Sequence, residues 1–331
     1  MKYYTTTGDR FTLSVWLRKN IQRQRVFTVE VANLAFVIKV FVLAVVQGIG
    51  EFLPISSSGH LLVLSRFFEL PEAFTLSILL HAGTLASVVC FFSAKIMEVF
   101  RFRRRAILLV CVGSIPTVII AAIILKFFGF LEESMTTTGV GFLLTACLLL
   151  FVLRSRCLSD YEEYYVKYAS DENDAPHIEA KTIETTSIKD AIVIGIAQGI
   201  AALPGLSRSG STISAAVARN LSREWAAEFS FLLSIPVIAG AVLLELLKVV
   251  KEAGETSLTD VFFSDPTMLV YLGGAVVSFI VGWISLKVLM SMLKDGKLHY
   301  FAYWLILAGV GTLAWSATIH WSEIASIFSQ N

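Results

Sequence analysis

Two short stretches of this chain contain side chains that could carry out chemistry on a phosphate group. The first holds Glu51, Ser57 and His60, and the second holds Arg208. A carboxylate or an imidazole can transfer protons, a serine hydroxyl can attack as a nucleophile, and a guanidinium matches the oxygens of a phosphate. Because anion binding alone needs neither a base nor a nucleophile, these residue types point towards phosphoryl transfer.

The residues around these groups predict two helix N-termini facing an anion. Pro54 should end one helix, and Ser56 and the serines after it can cap the next; Pro204 and Gly205 precede a similar stretch. Helix N-termini attract negative charge through free N–H groups. Further candidate substrate-binding residues are Gln47, Ser56, Ser58, Gly59, Ser207, Ser209 and Gly210. Simple helix capping explains Ser56 and Ser58 equally well.

The two stretches resemble each other, which predicts an internal repeat. QGIGEFLPISSSGH (47–60) and QGIAALPGLSRSGS (198–211) share six identical positions at a constant offset of 151 residues. Each lies within an apolar region, 33–66 or 188–220, that is interrupted near its middle. Neither half of these regions is a comfortable membrane span, so we expect two re-entrant helical hairpins.

The composition predicts a membrane protein. The chain is 56% hydrophobic and only 16% charged, against about 25% charged residues in soluble domains. Its net charge of +1 gives no reason to expect a nucleic-acid partner. Six stretches could span a bilayer as helices: 74–94, 106–127, 136–153, 229–247, 268–290 and 301–320. The predicted fold is therefore an all-α polytopic membrane protein with six spanning helices and two re-entrant helical hairpins.

Three spans separate the hairpins, so the second should enter from the opposite face, as in an inverted-topology repeat. We divide the chain into a polar basic N-terminal arm (1–32), a first repeat (33–153), a polar acidic loop (154–187), a second repeat (188–320) and a C-terminal tail (321–331). The basic loop 95–105 should be cytoplasmic. Alternation then puts the basic arm outside, so either the arm lies along a membrane interface, or 31–49 spans fully and the first hairpin is wrong.

For two residues, a purely structural role competes with a functional one. His81 stands alone on a predicted spanning helix, and a structural role is the better interpretation of it. Arg208 could serve only as a structural counter-ion for Glu51, because intramembrane charges do pair.

The same motifs resemble a known family. QGIGEFLPISSSGH and PGLSRSGSTIS (204–214) are similar to the two motifs of the BacA-type undecaprenyl-diphosphate phosphatases, and the resemblance covers roughly 34–320. It implies an integral protein of the bacterial plasma membrane with an inverted-repeat fold and an active site open to the outer face. Such a protein would hydrolyse undecaprenyl diphosphate to undecaprenyl phosphate and inorganic phosphate, recycle the lipid carrier for cell-wall synthesis, and confer bacitracin resistance.

The resemblance also implies roles for individual residues. The catalytic positions of the family are matched by Glu51, Ser57, His60 and Arg208. Gln47 stands where many relatives have glutamate, so the role of the carboxylate falls mainly to Glu51. Ser57 could attack with His60 as its activator or as the acid for the leaving group, or the roles could be exchanged so that His60 attacks. Glu51 could orient the base, activate water, or bind Mg²⁺ or Ca²⁺. We expect a prenyl diphosphate lipid as the substrate, no organic cofactor, and leave a homodimer open.

Two other classes of protein remain compatible with the sequence. Inverted repeats with broken helices are typical of secondary transporters, which could hold or flip a lipid phosphate at the same place. An inactive relative that only binds the lipid is hinted at by Gln47 alone, because an amide cannot act as a base.

Overall fold

The computed structural model describes residues 34–70, 74–131, 133–168, 180–253, 266–295 and 297–329. Over these residues the architecture is all-helical apart from an isolated bridge between Lys181 and Leu221. The helices are α1 (Leu34–Phe52), α2 (Ser57–Phe67), α3 (Phe74–Phe91), α4 (Ser93–Phe102), α5 (Arg104–Phe128), α6 (Met135–Tyr168), α7 (Ile188–Ile200), α8 (Arg208–Ala218), α9 (Arg223–Ala253), α10 (Pro266–Lys294) and α11 (His299–Ser329). The predicted arm 1–32 lies outside the described residues.

Five helices are long and apolar enough to cross a bilayer. They are Leu34–Phe52, Arg104–Leu131, Arg223–Leu244, Thr267–Lys294 and His299–Ile319. Four of the predicted spans fall largely within these helices. The predicted span 74–94 instead corresponds to α3 and α4, which are bent by 68° against each other, and 136–153 corresponds to the shorter apolar stretch Met135–Phe151. The fold is that of a polytopic membrane protein.

Several helices continue beyond the ends that the sequence predicts. Most of the predicted loop 95–105 belongs to α4, the first part of the predicted loop 154–187 continues α6 to Tyr168, and most of the predicted tail belongs to α11. The extension of α6 contains neither glycine nor proline. Polar residues alone therefore do not end it, because many charged residues favour helices.

Two units of helix, break and helix form hairpins, α1–α2 and α7–α8. At the open end of the first, Lys39 Nζ donates to the carbonyl oxygen of Phe68 at 2.7 Å. At the open end of the second, Arg219 Nε donates to Asp190 Oδ1 at 2.7 Å. Both contacts join positions related by the offset of 151 residues. Each chain segment thus returns to the level at which its hairpin began.

The two hairpins differ in the length of their first helix. Helix α7 has 13 residues, and α2 and α8 have 11 each, which gives lengths of about 16 to 20 Å. Helix α1 has 19 residues and a mean hydropathy of 2.0, enough by itself to cross a bilayer of about 30 Å. By its length alone, α1 could therefore span the bilayer fully, as the alternative to the first hairpin requires. The hydrogen bond at the open end favours a hairpin.

Asp190 fixes the open end of the second hairpin, outside the candidate spans. Its carboxylate is fully buried and accepts hydrogen bonds from Lys181 Nζ at 2.8 Å and from the backbone N–H of Ser187 at 2.9 Å, as well as from Arg219. Burial raises the pKa of Asp190, but these donors outweigh it and hold the pKa well below its usual range. The residue therefore stays charged and joins both helices of the hairpin.

Each hairpin packs closely against a helix from the other half of the chain. A Cβ on Gly195 of α7 would lie 2.0 Å from the carbonyl oxygen of Gly113 on α5. A Cβ on Gly48 of α1 would lie 2.8 Å from Cβ of Val281 on α10. Small residues allow such close approach between membrane helices. The halves are thus interlocked, which brings both helix breaks into the same region.

This packing predicts that Gly195→Ala will destabilise the protein. The added methyl group has no room beside Gly113, so α7 and α5 must separate, and we expect a thermal midpoint several degrees lower in detergent, by intrinsic tryptophan fluorescence. Gly240→Ala is the matched control, because a Cβ on Gly240 meets nothing within 4 Å. Equal midpoints for the two variants would contradict the close crossing.

Candidate active site

The breaks of the two hairpins meet each other. Ser56 Oγ donates to the carbonyl oxygen of Leu206, and Ser209 Oγ donates to the carbonyl oxygen of Leu53, both at 3.3 Å. These contacts fix the starts of α2 and α8 side by side. The tertiary structure therefore brings together residues that lie about 150 positions apart in the chain.

Glu51 lies at the centre of this region and contacts both breaks. Its Oε1 accepts a hydrogen bond from Arg208 Nη2 at 2.7 Å, and its Oε2 accepts from Ser57 Oγ at 2.9 Å and from Gln47 Nε2 at 3.0 Å. The side chain is only 6% exposed. A buried carboxylate is tolerated because charged and polar donors replace its water. The predicted group of Gln47, Glu51, Ser57 and Arg208 is thus assembled in space.

His81 joins this group, although the sequence favoured a structural role for it. Its Nε2 lies 3.7 Å from Glu51 Oε2, while its Nδ1 lies 2.7 Å from the carbonyl oxygen of Ser77. The side chain is 28% exposed. The one signal available in the sequence was an ionisable residue within an apolar helix. That signal gives no partner, because the partner is on another helix.

His60 lies one turn after Ser57 on α2 but has other partners. Its Nδ1 is 2.9 Å from the carbonyl oxygen of Ser56, and Trp304 Nε1 donates to its Nε2 at 3.0 Å. The carbonyl needs a donor and the indole N–H needs an acceptor, so we infer a neutral ring protonated at Nδ1. Of the hydrogen bonds in the described part of the chain, none joins His60 to Ser57. The predicted catalytic role of His60 stays a prediction.

The remaining candidate residues form the two helix caps. Ser56 Oγ accepts from the N–H of Gly59 at 3.4 Å, and Ser207 Oγ accepts from the N–H of Gly210 at 3.1 Å. The other serines lie next to the caps, with Ser56 Oγ 3.5 Å from Ser58 Oγ and Ser207 Oγ 3.2 Å from Ser209 Oγ. These contacts establish a capping role, and their predicted contacts with a substrate remain predictions.

Two buried polar atoms of the site lack a partner among the described residues. Arg208 Nη1 is a donor without an acceptor, and Gln47 Oε1 is an acceptor without a donor. Leaving such atoms unsatisfied is costly. A phosphate oxygen would suit the guanidinium N–H, and a cation or a donor group would suit the amide oxygen. Both atoms therefore indicate that the site is completed by a ligand.

The described residues contain no cluster of three or more His, Cys, Asp or Glu side chains that could hold a metal ion. A divalent cation would have to use Glu51 and the unpaired Gln47 Oε1, with further oxygens from the substrate. These are oxygen ligands of the kind that Mg²⁺ and Ca²⁺ prefer. The donor set thus fits a weakly held cation that arrives with a phosphate ligand.

Comparison with known proteins gives a consistent match over most of the chain. The family model of bacitracin resistance protein BacA matches residues 40–311. The undecaprenyl-diphosphatase of Carboxydothermus hydrogenoformans is 36% identical over 278 residues, covering 83% of this chain and 96% of the relative. That of Rhodopirellula baltica is 37% identical over 276 residues, covering 82% and 95%. That of Methanosphaera stadtmanae is 31% identical, covering 86% and 99%.

The ion pair between Glu51 and Arg208 yields a prediction about stability. Glu51→Gln leaves an unpaired buried cation, and Arg208→Gln leaves an unpaired buried anion, so each should lower the free energy of unfolding by about 3 kcal/mol or more. The double variant removes both charges and should lose less than the sum of the two. Additive losses in thermal midpoint, measured in one detergent, would show that the two side chains are not coupled.

Proposed function

The chain belongs to the bacitracin resistance protein BacA family, and we propose that it hydrolyses undecaprenyl diphosphate to undecaprenyl phosphate and inorganic phosphate. The observation that carries this proposal is the contact of one carboxylate, Glu51, with both a serine hydroxyl and an arginine from the other half of the chain. This arrangement combines a nucleophile, a base and a phosphate-binding cation within one buried group. The relatives named above support the choice of substrate.

In the proposed complex, Arg208 and the first turns of α2 and α8 hold the diphosphate. The unpaired Arg208 Nη1 is a donor for a phosphate oxygen. The first N–H groups of any helix lack partners within the helix, and the dipoles of α2 and α8 add positive potential at the meeting point. Such donors stabilise the charge of the transition state by their fixed positions.

We assign the nucleophile to Ser57 and the base to Glu51. As Ser57 Oγ bonds to the terminal phosphorus, its proton passes to Glu51 Oε2, which lies 2.9 Å away. The bond from phosphorus to the bridging oxygen breaks, and undecaprenyl phosphate leaves. Water then attacks the phosphorus, the bond from phosphorus to Ser57 Oγ breaks, Glu51 returns its proton to that oxygen, and inorganic phosphate leaves. His60 is less favourable as an activator or nucleophile, because both of its ring nitrogens already have partners.

We further propose that the protein lies in the plasma membrane with six spans and two re-entrant hairpins in an inverted repeat. Hydrogen bonds join the two arms of each hairpin at its open end, and equivalent serine caps start the second helix of each. Both features support this topology. The basic residues of 95–105 support a cytoplasmic position for that segment, and we propose, as the family resemblance implies, that the site opens to the outer face. The lipid part of the substrate would then remain in the bilayer.

A divalent cation is a further element of the proposal. Glu51 and Gln47 Oε1 would hold Mg²⁺ or Ca²⁺ together with oxygens of the substrate. Such an ion would neutralise phosphate charge when bound. The protein residues would still supply the nucleophile, the base and the fixed cation at Arg208.

The proposed activity predicts inorganic phosphate release from a prenyl diphosphate by the purified protein in detergent. Ser57→Ala, Glu51→Gln and Arg208→Ala should each lose two or more orders of magnitude in kcat/KM, because each removes a group that acts on the reacting phosphate. His81→Ala and His60→Ala are tested beside them, and a larger loss in His81→Ala would match its contact with Glu51.

Arg66→Ala is the matched control for Arg208→Ala. Arg66 makes an exposed ion pair of 3.8 Å with Glu133, and such pairs contribute little. It should keep full activity. If folded wild-type protein released no phosphate with or without Mg²⁺ or Ca²⁺, the phosphatase would be ruled out. Transport or simple binding of a lipid phosphate would then be the better account.

The cation proposal has its own test. Chelation with EDTA should lower phosphate release, and Mg²⁺ or Ca²⁺ should restore it. Gln47→Glu places a second carboxylate one helical turn from Glu51, so it should lower the cation concentration required for half-maximal activity. Activity that is indifferent to chelation in both the wild type and Gln47→Glu would contradict the cation site.

A further inference from the structure

An apolar crevice of about 360 Å³ lies beside the candidate active site. It is lined by residues of α1, α2, α6 and α11, among them His60, Phe142, Trp304, Gly311 and Trp315. Its volume is near the lower end of the range for ligand pockets, about 300 to 1,000 Å³. The crevice is thus large enough for a short apolar segment but not for a whole long-chain lipid.

The crevice runs along α2, away from the helix break. At one end His60 stacks on Trp304, with ring centroids 5.9 Å apart. Towards the other end Phe67 lies edge-on to Trp315 at 6.4 Å. Seven residues of helix separate His60 from Phe67, which corresponds to about 10 Å. The crevice therefore extends from the level of the site towards the open end of the first hairpin.

The same residues connect the crevice to the candidate active site. His60, which lines the crevice, donates through its Nδ1 to the carbonyl oxygen of Ser56, directly before Ser57. Phe142 packs against His60 with centroids 4.8 Å apart and would be 2.6 Å from a Cβ on Gly59. A molecule with its head at Ser57 thus has the mouth of the crevice beside it.

Three polar side chains that line the crevice, those of Thr312, Trp304 and His60, have their hydrogen bonds satisfied within the protein. Thr312 Oγ1 donates to the carbonyl oxygen of Ala308 at 2.7 Å. The indole N–H of Trp304 is used by His60 Nε2, and His60 Nδ1 is used by Ser56. With these groups paired and the rest of the lining mostly apolar, the crevice suits a hydrocarbon.

We infer that this crevice binds the isoprene units of the substrate's prenyl chain that follow the first one. The inference rests on the proposed function, because it places the diphosphate at Ser57 and Arg208. The chain is covalently attached to that headgroup and must leave the polar site along an apolar surface. The crevice provides such a surface next to the headgroup, and the rest of the chain continues into the bilayer.

The test fills the crevice without disturbing the packing of the fold. A Cβ on Gly311 meets nothing within 4 Å, so Gly311→Phe adds its ring to open space at the crevice. Gly240→Phe is the matched control, since Gly240 also has nothing within 4 Å of its Cβ and is not among the crevice residues. Thermal midpoints of both variants verify folding.

The substrates are dimethylallyl, geranyl and farnesyl diphosphate, which differ only in the number of isoprene units. For the wild type and Gly240→Phe, we expect kcat/KM to rise about tenfold with each unit, well below the limit for complete burial of its carbons. In Gly311→Phe this rise should largely disappear, while hydrolysis of dimethylallyl diphosphate stays unchanged. Ala308→Leu, a smaller filling substitution, should give an intermediate result.

The remaining outcomes separate this inference from the proposed function. If the wild type hydrolyses neither undecaprenyl diphosphate nor any of the three shorter compounds, the proposed function fails. If the wild type is active and folded Gly311→Phe keeps the full rise, the crevice does not bind the chain. If Gly311→Phe loses hydrolysis of dimethylallyl diphosphate equally, the residue acts on the headgroup site, and the inference is overturned.

Discussion

The buried ion pair between Glu51 and Arg208 is the constraint on which the rest of this structure depends. An isolated charge buried this deeply within the protein would be strongly unfavourable, and the pair is acceptable only with good geometry and additional hydrogen bonds. Each half of the chain provides one partner, and Ser57 and Gln47 provide further bonds to the carboxylate. The two halves must therefore be held in a fixed relation.

The glycines at the helix crossings provide that relation. Helix α7 of the second half lies directly on α5 of the first, and α1 of the first half lies on α10 of the second. In a bilayer, close packing takes over much of the role that hydrophobic burial has in water. The exchange of partners between the halves leaves the two breaks little freedom, so backbone without helical hydrogen bonds can be stabilised by contacts across the breaks.

The site and the crevice together match a molecule with two different ends. Arg208 Nη1 and Gln47 Oε1 offer unpaired polar atoms to a headgroup, whereas the polar groups of Thr312, Trp304 and His60 in the crevice are already paired. Trp304 stands at the boundary, with its N–H on His60 and its ring on the apolar side. A tryptophan suits such a position because it has one polar atom on a large apolar ring.

The sequence by itself determined the membrane class, the paired broken motifs and most of the candidate site, because serine, proline and glycine act locally on helix ends and because the repeat matched Ser56 with Ser207. It did not determine that α6 extends to Tyr168, since polar residues are common in both helices and loops. Only the tertiary structure placed His81 beside Glu51 and joined His60 to Trp304, 244 positions away. Such contacts depend on how α3 and α11 pack against distant helices, and no local pattern of residues encodes that packing.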